Sequence, residues 1–307
     1  MVIKDNGMIK KSIALLAFCV MTSCGYFRVT DLKSTKVCTI PSGTALHAVS
    51  INYNESGLLD MSFGVVLAND KVYVKDNIQR KVLVYDRKGN CTIAIGNVSG
   101  IADEKDVKKT QVSFDVIGTM VFDSENNLYV QNRLTSVQRI SAAGTQIDMS
   151  PSFILVFNKE GNLQYTIGQT GMPTVPFYYI EYLEIDNNDR LFVIARTYDI
   201  WSVYRFDKRQ RDYYMTFTKN HFVDMVDANT SYTGKIENIK ILNSGDGFVL
   251  SVAYYHNTRF KYRKIYSYDM KGSQPAEILK LSEPKNELFT VIQNKYIYLW
   301  NVEDTND

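Results

Sequence analysis

The chain is poor in the residues that most often announce chemistry. Only three histidines occur in 307 residues, His47, His221 and His256. A zinc centre built on several histidines would need all three, and their wide separation argues against one. No Gly-x-Ser-x-Gly elbow, Walker-type phosphate loop or His-Glu-x-x-His pair is present, which removes the common nucleophile, nucleotide and metalloprotease signatures. Neither charge sign dominates. The 35 basic and 33 acidic residues leave a net charge of +2, without the electrostatic footprint of a nucleic-acid binder. Apolar runs are short, and beyond the N-terminal segment none is long enough to span a membrane. Proline is scarce, with 6 residues against 21 Tyr and 15 Phe. That balance suits a β-rich protein, because aromatic side chains favour strands.

The N-terminus is the exception to the missing apolar runs. Lys10 and Lys11 precede an uncharged stretch from Ile13 to Met21. At roughly ten residues it is too short to cross about 30 Å of hydrocarbon, and it fits the apolar region of a cleavable export signal. The small residues Thr22 and Ser23 then lead into Cys24. This order resembles the lipobox of bacterial lipoproteins, with Met21 where Leu is commoner. The competing readings are an ordinary secretory signal and a membrane anchor. Cys19 is a poor rival to Cys24, since the bulky Phe18 precedes it. The resemblance implies a signal peptide over 1–23, lipid attachment at Cys24, a tether over 24–36 and a folded body over 37–307. It also implies a membrane partner through the N-terminal lipid, because several acyl chains hold far more firmly than one. Gly25 follows the cysteine in place of the Asp linked with inner-membrane retention, which points to the outer membrane. Met8 offers a more compact start than Met1.

Cys38 and Cys91 remain after processing, and an oxidising envelope would allow them to pair. They sit in similar strings, Val37-Cys38-Thr39-Ile40 and Asn90-Cys91-Thr92-Ile93. Equivalent positions of different repeats are usually too far apart for a disulfide, so two packed free thiols are expected.

The body repeats itself. Asn69–Asp76, then Lys81–Asn90, then Cys91–Gly96 set out a grammar of short apolar strings closed by Asn, Asp and Gly. It returns as Asn126–Asn132, Phe153–Asn162 and Leu163–Gly168. Looser copies start at Asn188 and Asp246, and a fifth begins at Asn294. Each copy reads as strands joined by tight turns. In the string Asp86-Arg87-Lys88-Gly89-Asn90 the Asp side chain can bond nearby backbone and Gly supplies a positive φ. A further apolar strand precedes each unit, making about four strands per repeat. Four-stranded repeats predict an all-β fold, a β-propeller of four-stranded antiparallel blades. The alternative is a two-layer sandwich, which the long repeat period disfavours.

These strings resemble the NHL repeat of NHL-type propellers over Leu58 to Trp300. Together with the lipobox they also look like envelope lipoproteins of unassigned function from spirochaetes and Bacteroidetes. The resemblance implies about five to six blades and is nearly silent on function. The last repeat is half complete, and an open ring leaves exposed edges. Either strands near Val37–Ile40 and His47–Tyr53 complete the final blade, or the chain lacks its last blade or two.

No catalytic residue, metal ligand or cofactor is predicted. Lactonase-like propellers hold a divalent cation on the axis. Here Asp76 and Asn132 occupy equivalent positions, but Ala195 and Ser251 break the ring of ligands, and a turn role for Asp76 and Asn132 is expected. Recognition residues are predicted in loops instead: Tyr198 and Trp201 in one segment, and Tyr254, Tyr255 and Arg259 in an aromatic, basic one. Aromatics of the second segment can equally be strand residues facing neighbouring blades. The expectation is an envelope-anchored, non-catalytic scaffold that binds a protein or glycan partner. The alternative is a propeller hydrolase or lyase with a bound divalent cation.

Overall fold

The computed structural model describes residues 36–53, 63–135, 139–140, 146–147, 151–172, 174–197, 200–218, 221–227, 230–271, 275–292, 294 and 296–301. The chain divides into Met1–Val37 and Cys38–Asp307. Cys24 and the predicted signal lie outside the described residues. Within the second unit every regular element described is a strand.

The first sheet is an antiparallel meander of β1 (Phe63–Ala68), β2 (Lys71–Asp76), β3 (Lys81–Tyr85) and β4 (Cys91–Gly96), with β5 (Lys108–Gln111) added parallel to β4. Next come β6 (Val116–Phe122) and β7 (Leu128–Arg133), then a short hairpin of β8 (Arg139–Ile140) and β9 (Gln146–Ile147). The chain returns as β10 (Ser152–Phe157) and β11 (Leu163–Ile167) to finish the second sheet. The third is β12 (Tyr179–Ile185), β13 (Leu191–Arg196), β14 (Ile200–Asp207) and β15 (Gln210–Thr218). The fourth has a short edge strand, β16 (Val223–Met225), before β17 (Ser231–Ile241), β18 (Gly247–His256), β19 (Arg259–Asp269) and β20 (Ala276–Leu281). A two-stranded unit follows, β21 (Asn286–Ile292) with β22 (Tyr296–Asn301).

Successive sheets stack face to face, as blades do. Along β3, Val82 and Val84 enter a core shared with Leu155 and Phe157 of the second sheet, while Leu83 and Tyr85 face the opposite way. Along β10, Ile154 and Val156 turn instead to the third sheet, where they meet Leu191 and Val193. Phe192 and Ile194 of β13 join Phe248, Leu250 and Val252 of β18. Val249 packs with Leu288 and Val291 of β21. A strand buried on both faces needs apolar residues at every position, which is why the strings run apolar continuously instead of alternating. First strands of successive sheets lie side by side, β6 with β12 and β17 with β21. They are tied by side chains, since Tyr182 donates to Asn238 Oδ1 at 2.9 Å and Asn238 Nδ2 donates to Leu288 O at 2.9 Å. The described residues therefore form an all-β propeller of four blades plus a hairpin in the place of a fifth.

The predicted turns form as the residues dictate. Asp86 Oδ1 accepts from the backbone N–H of Lys88 at 2.8 Å and of Asn90 at 2.9 Å. Gly89 takes φ +87° between them, a left-handed conformation that favours glycine. Asp123 and Asp186 build the same turn in later blades, with Asn126 and Asp189 at positive φ.

The N-terminal part of the body departs from expectation. Val37–Ile40 and His47–Tyr53 are not strands completing the last blade. Residues 41–49 make a turn, closed by Val49 N–H on Pro41 O and Gly43 N–H on Val49 O, both 3.0 Å. Leu46 and Val49 are buried against Val72, Val74, Leu83 and Tyr85 of the first blade. Polar anchors hold this strap where a neighbouring blade would otherwise sit. Lys81 Nζ donates to the carbonyls of Ala45 and Leu46, Asp76 accepts from Ser50 N–H, and Tyr85 donates to His47 O at 2.8 Å.

Cys38 and Cys91 are both free thiols, as expected. The reason given for that expectation does not hold, because Cys38 belongs to the strap and packs on the same cluster as Cys91. Burial pushes the Cys91 thiol up to about 11. At pH 8 it should carry roughly 100-fold less thiolate than an ordinary cysteine. Native protein treated with iodoacetamide should therefore label slowly at Cys91, with fast labelling in urea, read by peptide mass. Equal rates in both states would contradict the buried placement.

Candidate functional site

A cavity of about 580 Å³ opens between the third and fourth blades, within the range of about 300–1,000 Å³ common for small-molecule sites. Its wall on the third blade follows from strand register. Tyr179, Arg196, Trp201 and Phe217 are direct partners across β12, β13, β14 and β15. Partners in register share a face, so these four side chains form one row, of which Arg196, Trp201 and Phe217 line the cavity. The Arg196 guanidinium lies 5.5 Å from the Tyr179 ring centre and 5.6 Å from that of Trp201. Cation–π attraction of this kind contributes about 0.5–1 kcal/mol at exposed sites. Arg196 Nε is also 2.8 Å from Glu181 Oε2, so charge pairing fixes the head of the side chain.

The fourth blade supplies the opposite wall. Thr233 pairs with Tyr255 across β17 and β18, and Tyr255 with Phe260 across β18 and β19. The Tyr255 and Phe260 rings meet edge to face at 6.0 Å. Burial raises the Tyr255 hydroxyl pKa. Buried Phe217, Phe222 and Ile236 make the floor. Gly234 permits this arrangement, because a Cβ there would stand 2.7 Å from Phe222 Cβ and 2.8 Å from Val252 Cγ1. Its N–H donates to Phe222 O at 2.7 Å, drawing the preceding segment across the strand. Lys235 is exposed at the rim and has no ion-pair partner among the described residues.

The predicted recognition residues divide. Trp201 and Tyr255 line the cavity together. Tyr198 lies outside the described residues. Tyr254 does not face the cavity. It is 2% exposed, buried in the core between the blades, with its hydroxyl 2.6 Å from that of Tyr266. The expected binding loop is in fact the β18–β19 hairpin, turned at Asn257 and Thr258, both at positive φ. Adjacent residues of a strand point to opposite faces: Tyr254 packs toward the third blade with Leu250 and Val252, and Tyr255 points to the other face of the sheet, near Glu237, Arg263 and Glu287. Arg259 is exposed at the start of β19 opposite His256, and Thr258 takes the place at the wall. Sequence reasoning did not single out Arg196 or Lys235. The available signal was position, since Arg196 ends the string Leu191-Phe192-Val193-Ile194-Ala195-Arg196 just before the segment of Trp201.

The residues weighed as metal ligands have structural partners. Asp76 accepts from the backbone N–H of Ser50, Ile78 and Gln79, and Asn132 Oδ1 from that of Asp115. His47 Nδ1 lies 2.6 Å from Glu104 Oε2, His221 stands edge-on to Phe217, and His256 contacts Asn257.

No protein-family model matches the chain. No curated protein matches it either. Among solved structures it is similar to a protein from Lactobacillus plantarum, with 12% identity over 74% of this chain and a TM-score of 0.37. The chain spans 58% of that protein's length. A protein of unknown function from Bacteroides caccae shows 13% identity over 80% of this chain and 73% of its own, with a TM-score of 0.36. An exo-β-1,3-galactanase from Phanerochaete chrysosporium shows 8% identity over 78% of this chain and 56% of its own, with a TM-score of 0.33. Likeness at this level carries nothing about ligand or chemistry.

Proposed function

We propose that this protein is an envelope-anchored lipoprotein whose propeller binds a protein or glycan partner in the cleft between its third and fourth blades, without transforming it. The observation that carries this reading is Arg196 stacked beside Trp201 on the third blade in the lining of a sizeable cavity. Tyr, Trp and Arg are the residue types that dominate binding energy at interfaces. They combine a large rigid surface with a directional polar group. A rigid propeller holding them costs little ordering on binding.

Two measurements on the full-length protein test the two halves of the proposal. Cys24→Ala should move the protein from the membrane fraction to the soluble fraction and remove the lipid mass. Retention in the membrane with unchanged mass would overturn the anchor. For the cleft, proteins and glycans captured from native envelopes should be lost on Trp201→Ala, with affinity falling about 10-fold or more, as for an aromatic anchor. Capture untouched by both Trp201→Ala and Tyr255→Ala would place binding elsewhere.

A further inference from the structure

We infer that Cys38 and Cys91 are an oxidation site, at which an oxidant of the disulfide class joins the two sulfurs and staples the strap to the first blade. The inference is independent of the cleft and of any ligand there. Three observations carry it.

The first is that the two thiols lie on surfaces that meet. Over residues 37–40 burial alternates, with Val37 and Thr39 exposed and Cys38 and Ile40 half-buried. Neighbouring residues of an extended chain point opposite ways, so Cys38 turns to the blade with Ile40. Cys91 opens β4 as the register partner of Tyr85. Cys38, Ile40, Cys91 and Tyr85 all belong to the cluster that buries Leu46 and Val49 of the strap.

The second is how closely the two segments approach. Gly89 stands two residues before Cys91, and a Cβ there would lie 3.5 Å from Cys38 Cβ and 2.8 Å from Thr39 O. Both thiols are also near enough to the Tyr85 hydroxyl to raise its pKa. A disulfide needs Cα atoms about 4.4–6.8 Å apart. Residues 36–40 belong to no strand, so Cys38 can shift to that separation without breaking a ladder hydrogen bond.

The third is the lack of a competing task. The Cys91 thiol makes a weak hydrogen bond to Ile93 O at 3.6 Å. No group of three or more His, Cys, Asp or Glu side chains among the described residues is placed to hold a metal. Pairing is the chemistry these two thiols share.

With glutathione disulfide as the oxidant, the half-buried Cys38 reacts first. Its thiolate attacks one glutathione sulfur, forms a mixed disulfide and releases one glutathione thiolate. That thiolate takes the proton of Cys91. The Cys91 thiolate then attacks the Cys38 sulfur, and the second glutathione leaves. The two protein thiols lose two electrons and two protons, and one glutathione disulfide becomes two glutathione thiols. Burial holds Cys91 protonated at neutral pH, so its attack is the slow step. The product closes a loop of roughly 50 residues and restricts the unfolded chain accordingly.

The test treats full-length protein, first reduced and freed of reductant, with glutathione disulfide. The protein is then alkylated in urea, digested and mapped by mass. A peptide pair linking Cys38 to Cys91, two hydrogens lighter than its separate parts, should appear in the monomer. The melting temperature should rise by roughly 5 °C or more and return on adding dithiothreitol. Cys91→Ser and, at the strap, Cys38→Ser should each abolish both the link and the rise. Glutathione retained on Cys38 with Cys91 still a thiol would overturn the inference. So would pairing of either residue with Cys19 or Cys24, disulfides formed only between molecules, or a Cys38–Cys91 link without a rise in melting.

Discussion

Lys81→Met should cost about 3–5 kcal/mol of stability, the usual penalty for removing one member of a buried charged network. Lys81 and Asp76 are both 0% exposed. The ammonium donates to Ala45 O at 3.0 Å and Leu46 O at 3.1 Å. Burial pushes its pKa down and the nearby Asp76 carboxylate pulls it back up, so the site suits a cation whose solvation comes from carbonyls. Methionine fills similar space but supplies no donor. Two buried carbonyls would lose their partner, and Asp76 would keep its three N–H donors without the neighbouring charge. The strap should loosen first, since Leu46 and Val49 reach the first-blade core only while those carbonyls are satisfied. Urea unfolding should show the loss, and amide exchange at 45–50 should accelerate beyond that of the blades. A variant within about 1 kcal/mol of the parent, a change typical of a surface position, with unchanged exchange, would show that the lysine does not hold the strap.

Alkali should unfold the protein cooperatively above pH 10. Tyr85, Tyr129, Tyr204 and Tyr254 are at most 3% exposed. Burial raises the pKa of each, with Tyr204 pushed up to about 12. A raised folded pKa means the folded state holds the proton longer than the unfolded one. The associated stability is complete below the ordinary phenol pKa of about 10 and is lost as pH climbs through the folded value. Tyr204 alone represents on the order of 2–3 kcal/mol once pH passes about 12. Lys81 acts in the opposite direction. Its lowered pKa makes the unfolded state bind the extra proton, so its burial penalty eases as pH rises toward the ordinary lysine value. One lysine does not offset several tyrosines. Phenolate absorbance and far-UV dichroism should change together in one steep step. Ionisation of the buried tyrosines near pH 10 with dichroism intact would sink the prediction.

Much of the fold was legible because it is local. Turn residues such as Asp86 and Gly89 act on their own neighbours, and a strand buried on both faces shows itself as a continuous apolar string. The strap was misread because its placement depends on Lys81, Asp76 and Tyr85, polar or aromatic residues whose strand positions say nothing of a partner some 30 residues away. The candidate site was half legible. Trp201 and Tyr255 drew notice as aromatics. Tyr254 drew the same notice wrongly, because a strand's two faces can be assigned only after its neighbours are known.

By itself the sequence determined the strand grammar, the turn chemistry and the order of the blades, all set by interactions within a few residues. The tertiary structure alone decided that Arg196 stands between Tyr179 and Trp201, that Lys235 lies on the rim of the same cavity, and that residues 41–49 cap the first blade. Those outcomes depend on cross-strand register and on which faces meet between sheets, and contacts between distant segments leave no periodic mark in the chain.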